Sequence, residues 1–350
     1  MSGGVDSSVA ACLLAEEGYD VLGSHMDLVH TDGVDHGCCG PRARADAADV
    51  ARLVGFRFEV VDLSAEFERS VLTDFVDEHA AGRTPNPCIR CNERIKFGAF
   101  LSRADALGID LVATGHYVRT ELDAAGRWRL FRGADPGKDQ SYVLHTLGQR
   151  ALSRSRFPVG ALSKSETRMH AARFGLPVAD KPDSQEVCFV PDANHAAFLE
   201  QRAPQLGGRG DVVDARSGEV VGSHSGTFRY TVGQRRGLGV SRPAASYVVE
   251  LDAAANRVVI GPADLLTRSG LVADRMSWVA GEPPQAGPFE ADVRIRYRGA
   301  DVPAIVEVAE ATTAVVRFGS GQSGVAPGQS VVMYHGDELL GGGRIVRSFR

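Results

Sequence analysis

The sequence predicts an α/β domain built on a parallel sheet, followed by a small β-rich central domain and a C-terminal β-barrel. In the first half, amphipathic helical patterns alternate with short apolar runs, which is typical of parallel strands joined by helices. From about residue 207, β-branched runs separated by glycine-containing turns replace the helical pattern. We expect the domains to span residues 1–203, 204–280 and 281–350.

Three helices and three strands carry the alternation in the first half. The predicted helices span residues 8–17, 41–53 and 92–107, and the predicted strands span residues 21–29, 58–63 and 111–114. The first helix is expected to stop at Gly18, because glycine favours the backbone conformation that ends a helix.

The second half contains short strands at hairpin spacing. The runs GDVVDARSGEVVGSHSG and YVVELDAAANRVVIG predict the central domain. The segment GEPPQAGP, residues 281–288, is rich in proline and glycine and is predicted to be a linker. Beyond it, VRIRYRG, AIVEVAE, TAVVRF and QSVVMYH repeat the pattern and predict a small barrel or sandwich.

The composition favours a cytoplasmic protein with no membrane partner. Hydrophobic residues make up 43% and charged residues 24% of the chain. No run approaches the roughly 20 apolar residues of a membrane span, and the N-terminus has no signal-peptide pattern. The net charge of −5 neither implies nor excludes a nucleic-acid partner, because binding depends on local basic surface.

The stretch SGGVDSS, residues 2–8, is a candidate anion site. Glycines ahead of a helix let backbone N–H groups converge on one anion, and the helix N-terminus adds roughly half a positive charge. The lysine of a Walker A loop is absent, so backbone and hydroxyl groups would hold the pyrophosphate. The competing interpretation is ordinary helix capping by Asp and Ser side chains.

A strand is expected directly before this loop, because such loops follow a strand in parallel α/β sheets. Met1 occupies that place in the sequence. We therefore expect low stability for the chain as written, and a rise in melting temperature when upstream residues are added.

Three of the six cysteines are candidate reactive groups. Cys88 and Cys91 form a CxxC ahead of the predicted helix, where the helix dipole would favour the Cys91 thiolate. Cys188, in DSQEVCFV, can meet them only through the fold. Zinc binding is disfavoured because the adjacent Cys38 and Cys39 are poor tetrahedral partners. Inert buried thiols, a reactive pair and an iron–sulfur site remain open.

Several sequence blocks resemble known families. SGGVDSS resembles the signature of the PP-loop ATP pyrophosphatases, which adenylate a substrate oxygen. Across the whole chain, the tRNA-specific 2-thiouridylases are similar in the blocks CCG, RADAADVARLVGF, TPNPCIRCNERIKF, ATGHYVR, GKDQSYVL, LPVADKPDSQEVCFV, YTVGQRRGLG, VRIRYRG and APGQSVVMYHG.

This resemblance implies a tRNA-uridine 2-sulfurtransferase that replaces the C2 oxygen of the wobble uridine with sulfur. It implies ATP and Mg²⁺ as cofactors, tRNA as partner, and a cysteine desulfurase or sulfur-relay protein as sulfur donor. The family's persulfide cysteine matches Cys188, and its nucleophile matches Cys91. Well-described members have Asp where this chain has Cys88, so Cys88, Cys91 and Cys188 could instead anchor an iron–sulfur cluster.

The resemblance also implies binding residues. Those matching the ATP site are Ser2, Gly3, Gly4, Val5, Asp6, Ser7, Ser8, Met26 and Gly115. Those matching the segment that meets the target base are Asn86, Pro87 and Cys88. Those matching other tRNA contacts are His116, Lys138, Asp139, Gln140, Arg296, Tyr297 and Gln329.

From the residues alone, these positions have other interpretations. His116 also suits a structural histidine, and Lys138 could replace the missing Walker lysine. Arg294 and Arg296 are expected on one face of a strand, which suits phosphate contact or a solvated surface. Cys12, Cys38 and Cys39 are expected to be structural thiols.

Two other functions are considered. The first is a different PP-loop adenylating ligase, which would need neither Cys91 nor Cys188. The second is a catalytically inactive tRNA-binding or sulfur-carrier protein, which would not release AMP when tRNA is added.

Overall fold

The predicted fold class is confirmed by a computed structural model that describes residues 1–29, 40–183, 187–190, 194–242 and 244–350. An α/β part, a four-stranded sheet and a closed barrel follow one another along the chain. No helix among the described residues is both long and apolar enough to cross a membrane.

Helices surround short strands in the α/β part. The helices are α1 Val5–Glu16, α2 Pro41–Val54, α3 Ser64–Phe67, α4 Thr73–Ala80, α5 Pro87–Arg90, α6 Phe100–Ala106, α7 Gln149–Ser153, α8 Lys164–Arg173 and α9 His195–Arg202. The strands are β1 Leu22–Asp27, β2 Arg57–Asp62, β3 Val112–Ala113, β4 Val118–Leu122, β5 Trp128–Arg132 and β6 Ser155–Arg156.

The parallel strands form two separate pairs, β1 with β2 and β3 with β6. Side chains of α1, α2 and α8 pack together, and Val9, Val50 and Ala171 are fully buried there. This packing places the N-terminus of α1, and the glycine-rich loop before it, beside both strand pairs.

The helix predicted at residues 92–107 begins earlier and is irregular. It starts with α5 at Pro87, because the Asn86 side chain accepts a hydrogen bond from the Cys88 N–H at 3.1 Å and caps it. A π-helical segment, Cys91–Ala99, then leads into α6. π-Helical turns are rare overall, but those that occur often lie at functional sites.

The central domain is a four-stranded sheet. Its strands are β7 Gly210–Asp214, β8 Val220–His224, β9 Tyr247–Asp252 and β10 Arg257–Gly261, in the order β8-β7-β10-β9. Val212, Val248, Val258 and Ile260 are fully buried in its core.

The barrel contains six strands. They are β11 Arg268–Trp278, β12 Phe289–Arg294, β13 Val302–Glu310, β14 Thr313–Gln322, β15 Ser330–His335 and β16 Glu338–Phe349, and pairing of β11 with β16 closes the barrel. The first barrel strand thus precedes the predicted domain boundary at 280/281. Residues 281–288, predicted as a linker, connect β11 to β12, because barrel connections also favour proline and glycine.

The α/β part and the barrel share a core. The β4–β5 hairpin joins the barrel sheet, with Leu130 of β5 opposite Leu339 of β16. The Tyr142 hydroxyl donates to the Ser330 carbonyl at 2.8 Å, and Tyr142 is fully buried. These contacts fix where the barrel loops lie relative to the glycine-rich loop.

Candidate active site

The glycine-rich loop ends at the uncapped N-terminus of α1. Gly4 is the N-cap residue, and no side chain makes a capping hydrogen bond in this helix. The Ser7 and Ser8 hydroxyls instead donate to the Gly4 carbonyl, at 3.2 and 2.9 Å. The capping interpretation of this motif is therefore wrong, and no capping side chain occupies the positive end of α1.

Two glycines allow close packing around the loop. Gly3 has a φ of +66°, and a Cβ there would lie 2.1 Å from the Ala43 carbonyl oxygen on α2. A Cβ at Gly115 would lie 2.6 Å from the Ser7 nitrogen. Both positions therefore require glycine, and they hold the loop between α2 and the segment that follows β3.

A cavity of about 1350 Å³ lies beside this loop, lined by residues of both strand pairs. The predicted site residues that line it are Ser2, Gly4, Val5, Asp6, Ser7, Met26, Gly115, His116, Lys138, Asp139, Gln140 and Tyr297. The structure thus brings most of the predicted ATP-binding residues and several predicted tRNA contacts to one cavity. Ligand pockets of roughly 300–1000 Å³ are common, so this one has room for a nucleotide.

Cys91 and Cys188 share one apolar cluster, termed here the cysteine cluster. Its buried members are Leu28, Phe67, Val71, Leu72, Phe75, Cys91, Ile95, Phe189, Val190, Leu199 and Phe228. Cys91 is buried, and the half-buried Cys188 packs against the cluster. The fold therefore brings together two thiols that lie far apart in the sequence.

Met26 connects this cluster to the cavity. It lines the cavity beside the glycine-rich loop and also packs against the cysteine cluster. Neither Cys91 nor Cys188 lines the cavity. Met26 thus borders both the cavity and the cluster that contains the two thiols.

The other cysteines have different surroundings. Because the helix begins at Pro87, Cys88 occupies its first turn and is exposed, so the expectation that placed Cys91 at the helix N-terminus is wrong. Cys12 is buried among α1, α2 and α8, and burial raises its pKa to about 11. Cys38 and Cys39 lie outside the described residues.

The described cysteines do not form a ligand set for a cluster. No group of three His, Cys, Asp or Glu side chains among the described residues could hold a metal ion. Cys88, Cys91 and Cys188 are all described, and Cys88 is exposed whereas Cys91 is buried. Their arrangement therefore does not fit an iron–sulfur cluster, and we derive no chemistry from one.

Comparisons with known proteins match the whole architecture. A family model described as tRNA methyl transferase HUP domain matches residues 1–192, and one described as tRNA methyl transferase PRC-barrel domain matches residues 196–262. A third, described as aminomethyltransferase beta-barrel domain, matches residues 268–345.

Curated relatives match over nearly the full length. The chain is 50% identical to a tRNA-specific 2-thiouridylase of Geobacter metallireducens, over 99% of this chain and 95% of the relative. It is 47% identical to that of Geotalea uraniireducens, over 99% and 93%. The chain belongs to the tRNA-specific 2-thiouridylase family. The resemblance seen in the sequence blocks is thereby confirmed.

In this 2-thiouridylase family member, His116 faces the cavity as a buried, hydrogen-bonded group. Its Nδ1 lies 2.7 Å from the Thr114 hydroxyl and its Nε2 lies 3.5 Å from Lys96 Nζ. Burial, and next the charge of Lys96, hold the pKa of His116 well below its usual value. These surroundings favour the neutral imidazole.

Gln329 and Thr84 tie the barrel to the segment that carries Asn86, Pro87 and Cys88. The Gln329 amide donates to the Thr84 carbonyl at 2.7 Å. The Thr84 N–H donates to the Pro327 carbonyl at 2.8 Å. In this 2-thiouridylase family member, Gln329 therefore positions a loop beside the predicted base-contacting residues.

Arg296 lies where loops of the barrel and central domain meet. β12 ends at Arg294, so the expectation that Arg294 and Arg296 share one strand face is wrong. A Cβ at Gly324 would lie 3.6 Å from the Arg296 guanidinium, and one at Gly233 would lie 3.4 Å from the Gly324 Cα. The GQRRG loop of the central domain thus adjoins the barrel loops.

Asp139 and Gln140 have internal partners. Asp139 accepts hydrogen bonds from the Gly133 and Ser141 N–H groups, at 3.2 and 3.0 Å. The Gln140 side chain accepts one from the Tyr117 N–H at 3.0 Å. Both residues therefore shape the cavity wall as well as lining it.

Four residues at the loop were not predicted as site residues from the sequence: Tyr117, Lys164, Asp183 and Lys181. The Asp6 carboxylate accepts hydrogen bonds from the Tyr117 hydroxyl at 2.8 Å and from Lys164 at 2.6 Å. Asp183 pairs with Lys164 and with Lys138, both at 2.7 Å. Burial alone would raise the pKa of Asp183, but hydrogen bonds from these lysines lower it.

The fourth residue is Lys181, whose ammonium donates to the Gly3 carbonyl at 2.9 Å. Both Lys181 and Asp183 lie in the block LPVADKPDSQEVCFV. The charged triplet KPD in this block is the sequence feature from which Lys181 and Asp183 could have been predicted as site residues.

Proposed function

We propose that the protein catalyses ATP-dependent 2-thiolation of the wobble uridine of tRNA. The observation that carries this proposal is the position of Met26, in contact with both the cysteine cluster and the cavity of the glycine-rich loop. This position supports a phosphate-binding loop and two thiols that serve one substrate, as adenylation followed by sulfur transfer requires.

The loop residues fit a triphosphate. The Ser2 and Ser7 hydroxyls line the cavity, and α1 presents an N-terminus without a capping side chain. Such an end binds anions through backbone N–H groups and the helix dipole. Mg²⁺ would accompany the phosphates and keep phosphate and water oxygens as most of its ligands, as this ion commonly does.

The reaction has three steps. The uridine C2 oxygen attacks the α-phosphorus of ATP, and pyrophosphate leaves. The terminal sulfur of a Cys188 persulfide then attacks C2, and the bond between C2 and oxygen breaks so that AMP departs. The Cys91 thiolate attacks the inner sulfur, and the persulfide bond breaks with its electron pair on the sulfur that stays on uridine. The resulting Cys91–Cys188 disulfide needs an external thiol reductant.

The tRNA would approach across the loops that meet near Arg296. Asn86, Pro87 and Cys88 would meet the extruded base, whose unstacking costs a few kcal/mol. His116, Lys138, Asp139, Gln140, Tyr297 and Gln329 would contact or position the same region. Binding would weaken with salt because backbone phosphates supply much of the affinity. A cytoplasmic cysteine desulfurase or sulfur-relay protein would supply the persulfide.

Reconstitution with unmodified tRNA tests this proposal. Protein, ATP, Mg²⁺ and a persulfide donor are incubated, and 2-thiouridine is measured by nucleoside mass spectrometry. Wild type and the Cys12→Ser control should form 2-thiouridine. Cys188→Ser and Cys91→Ser should form it at least 100-fold more slowly. Full 2-thiouridine formation by Cys188→Ser would overturn the role of Cys188, whereas a wild type that converts ATP to AMP without forming 2-thiouridine would favour a different adenylating ligase.

A further inference from the structure

The chain contains very few lysines, and they gather at one place. Of its 39 lysine and arginine residues, only Lys96, Lys138, Lys164 and Lys181 are lysines. Lys96, Lys138 and Lys181 line the cavity. Lys164 bonds Asp6 of the glycine-rich loop. Five arginines also line the cavity, but all four lysines of the chain either line it or bond the glycine-rich loop.

This distribution points to a chemical requirement. Arginine carries the same charge at neutral pH but presents it on a wide planar fork, whereas lysine presents a compact ammonium. Arginines and lysines both line the cavity, so charge alone does not distinguish the lysine positions. At those positions a compact ammonium fits a narrower space than a guanidinium does.

Lys181 differs from the other three lysines by touching the loop backbone. Its ammonium donates to the Gly3 carbonyl at 2.9 Å and to the Asp46 carboxylate of α2 at 2.5 Å. Lys138 and Lys164 both pair with Asp183, and Lys164 also bonds the Asp6 side chain. Lys181 thus contacts the backbone of the loop, whereas Lys164 contacts a side chain of it.

The surroundings of Lys181 leave it able to meet a ligand. Its side chain is 31% exposed and lines the cavity, whereas that of Lys164 is 13% exposed and does not. An ammonium has three N–H donors, and Gly3 and Asp46 use two of those of Lys181. A partly exposed ion pair such as that with Asp46 also costs little to rearrange.

We propose that Lys181 is the phosphate-binding cation that the glycine-rich loop itself lacks, and that Asp46 holds it against the loop. This inference rests on the proposed function, because it requires the loop to bind the β- and γ-phosphates of ATP. When the bond between the α- and β-phosphates breaks, negative charge develops on the departing pyrophosphate. A cation already positioned there stabilises that charge without reorganisation.

Calorimetric titration of the full-length protein with inorganic pyrophosphate and with AMP tests the inference. Lys181→Met should weaken pyrophosphate binding about 10- to 100-fold, the range for losing one charged hydrogen bond. AMP affinity should stay within about twofold, because AMP lacks the β- and γ-phosphates. Lys181→Arg should recover only part of the loss, because the wider fork does not fit between Gly3 and Asp46.

Two further variants separate phosphate binding from general charge and from folding. Arg103→Met removes an equal charge from the cavity wall, where Arg103 pairs with Glu59 at 3.3 Å, and should leave pyrophosphate binding unchanged. Asp46→Asn should weaken pyrophosphate binding by less than Lys181→Met does, because the ammonium keeps its bond to Gly3 but loses the carboxylate that holds it. In the double variant with Lys181→Met, the two losses should not add, because Asp46 acts through Lys181.

The outcomes distinguish this inference from the proposed function. Unchanged pyrophosphate affinity in Lys181→Met, or equal losses of pyrophosphate and AMP affinity, overturns the role of Lys181. A wild-type protein that binds neither ATP nor AMP overturns the proposed function instead. Thermal unfolding of each variant identifies a loss of affinity that comes from misfolding, and if Lys181→Met misfolds, Asp46→Asn and Lys181→Arg decide.

Discussion

The carboxylate of Glu78 joins the α/β part to the barrel, and its removal should destabilise the protein measurably. Glu78 lies on α4 with a side chain only 4% exposed. It accepts hydrogen bonds from Arg83 at 2.5 and 3.0 Å and pairs with Arg344 of β16. Arg275 of β11 lies 3.9 Å away. One buried negative charge therefore faces three arginines from two domains.

We expect Glu78→Gln to lower the free energy of unfolding by about 3 kcal/mol, the lower end for breaking a buried ion pair. The lower end applies because Arg344 still donates hydrogen bonds to the Asp274 carboxylate, at 2.9 and 2.6 Å, and because Arg83 is partly exposed to water. For a chain of this length, that loss corresponds to a melting temperature lower by about 4 °C.

The effect should depend on pH with a definite sign. Burial alone would raise the pKa of Glu78, but the hydrogen bond from Arg83 and the charge of Arg344 lower it below its usual value. A folded-state pKa below the unfolded-state pKa, about 4.3, stabilises the folded protein. This stabilisation is complete at pH values above the unfolded-state pKa. It is lost as the pH falls through the folded-state pKa. The difference between wild type and variant should therefore be full at pH 7 and shrink in acid.

Thermal unfolding followed by circular dichroism at pH 7 and at several acidic pH values provides the assay. Asp337→Asn is the matched control, because it removes an exposed pair with Arg119 at the same junction and should cost less than about 1 kcal/mol. Equal melting temperatures for wild type and Glu78→Gln at pH 7 would refute the reasoning. So would a difference that persists undiminished in acid.

Two other substitutions test the packing around the site. Gly3→Ala should abolish ATP binding measured by calorimetry, because its Cβ would lie 2.1 Å from the Ala43 carbonyl at a φ of +66°; unchanged affinity would contradict the loop geometry. Tyr142→Phe should lower unfolding free energy by about 1–3 kcal/mol in denaturant titration, because the buried Ser330 carbonyl loses its donor. A neutral result would show that this carbonyl finds another donor.

Local patterns were sufficient for the helices α1 and α2 and the strands β1, β2 and β3 of the α/β part. α2 was predicted within one residue at its end, because its apolar spacing, Pro41 and Gly55 are all properties of neighbouring residues. The π-helical segment after α5 was not predicted, because apolar spacing does not separate it from an ordinary helix. The helix start at Pro87 was also missed, so the prediction placed Cys91 at the helix N-terminus, where Cys88 lies.

The amino-acid sequence alone was sufficient to predict the glycine-rich loop, the alternation of helices and strands, the short barrel strands and the family. These follow from backbone freedom at glycine and from apolar periodicity, which act over a few residues. Only the tertiary structure decided that Cys91 and Cys188 share a cluster, that β11 closes the barrel and that Lys181 reaches Gly3. Such contacts join residues far apart in sequence, so they depend on how whole elements pack.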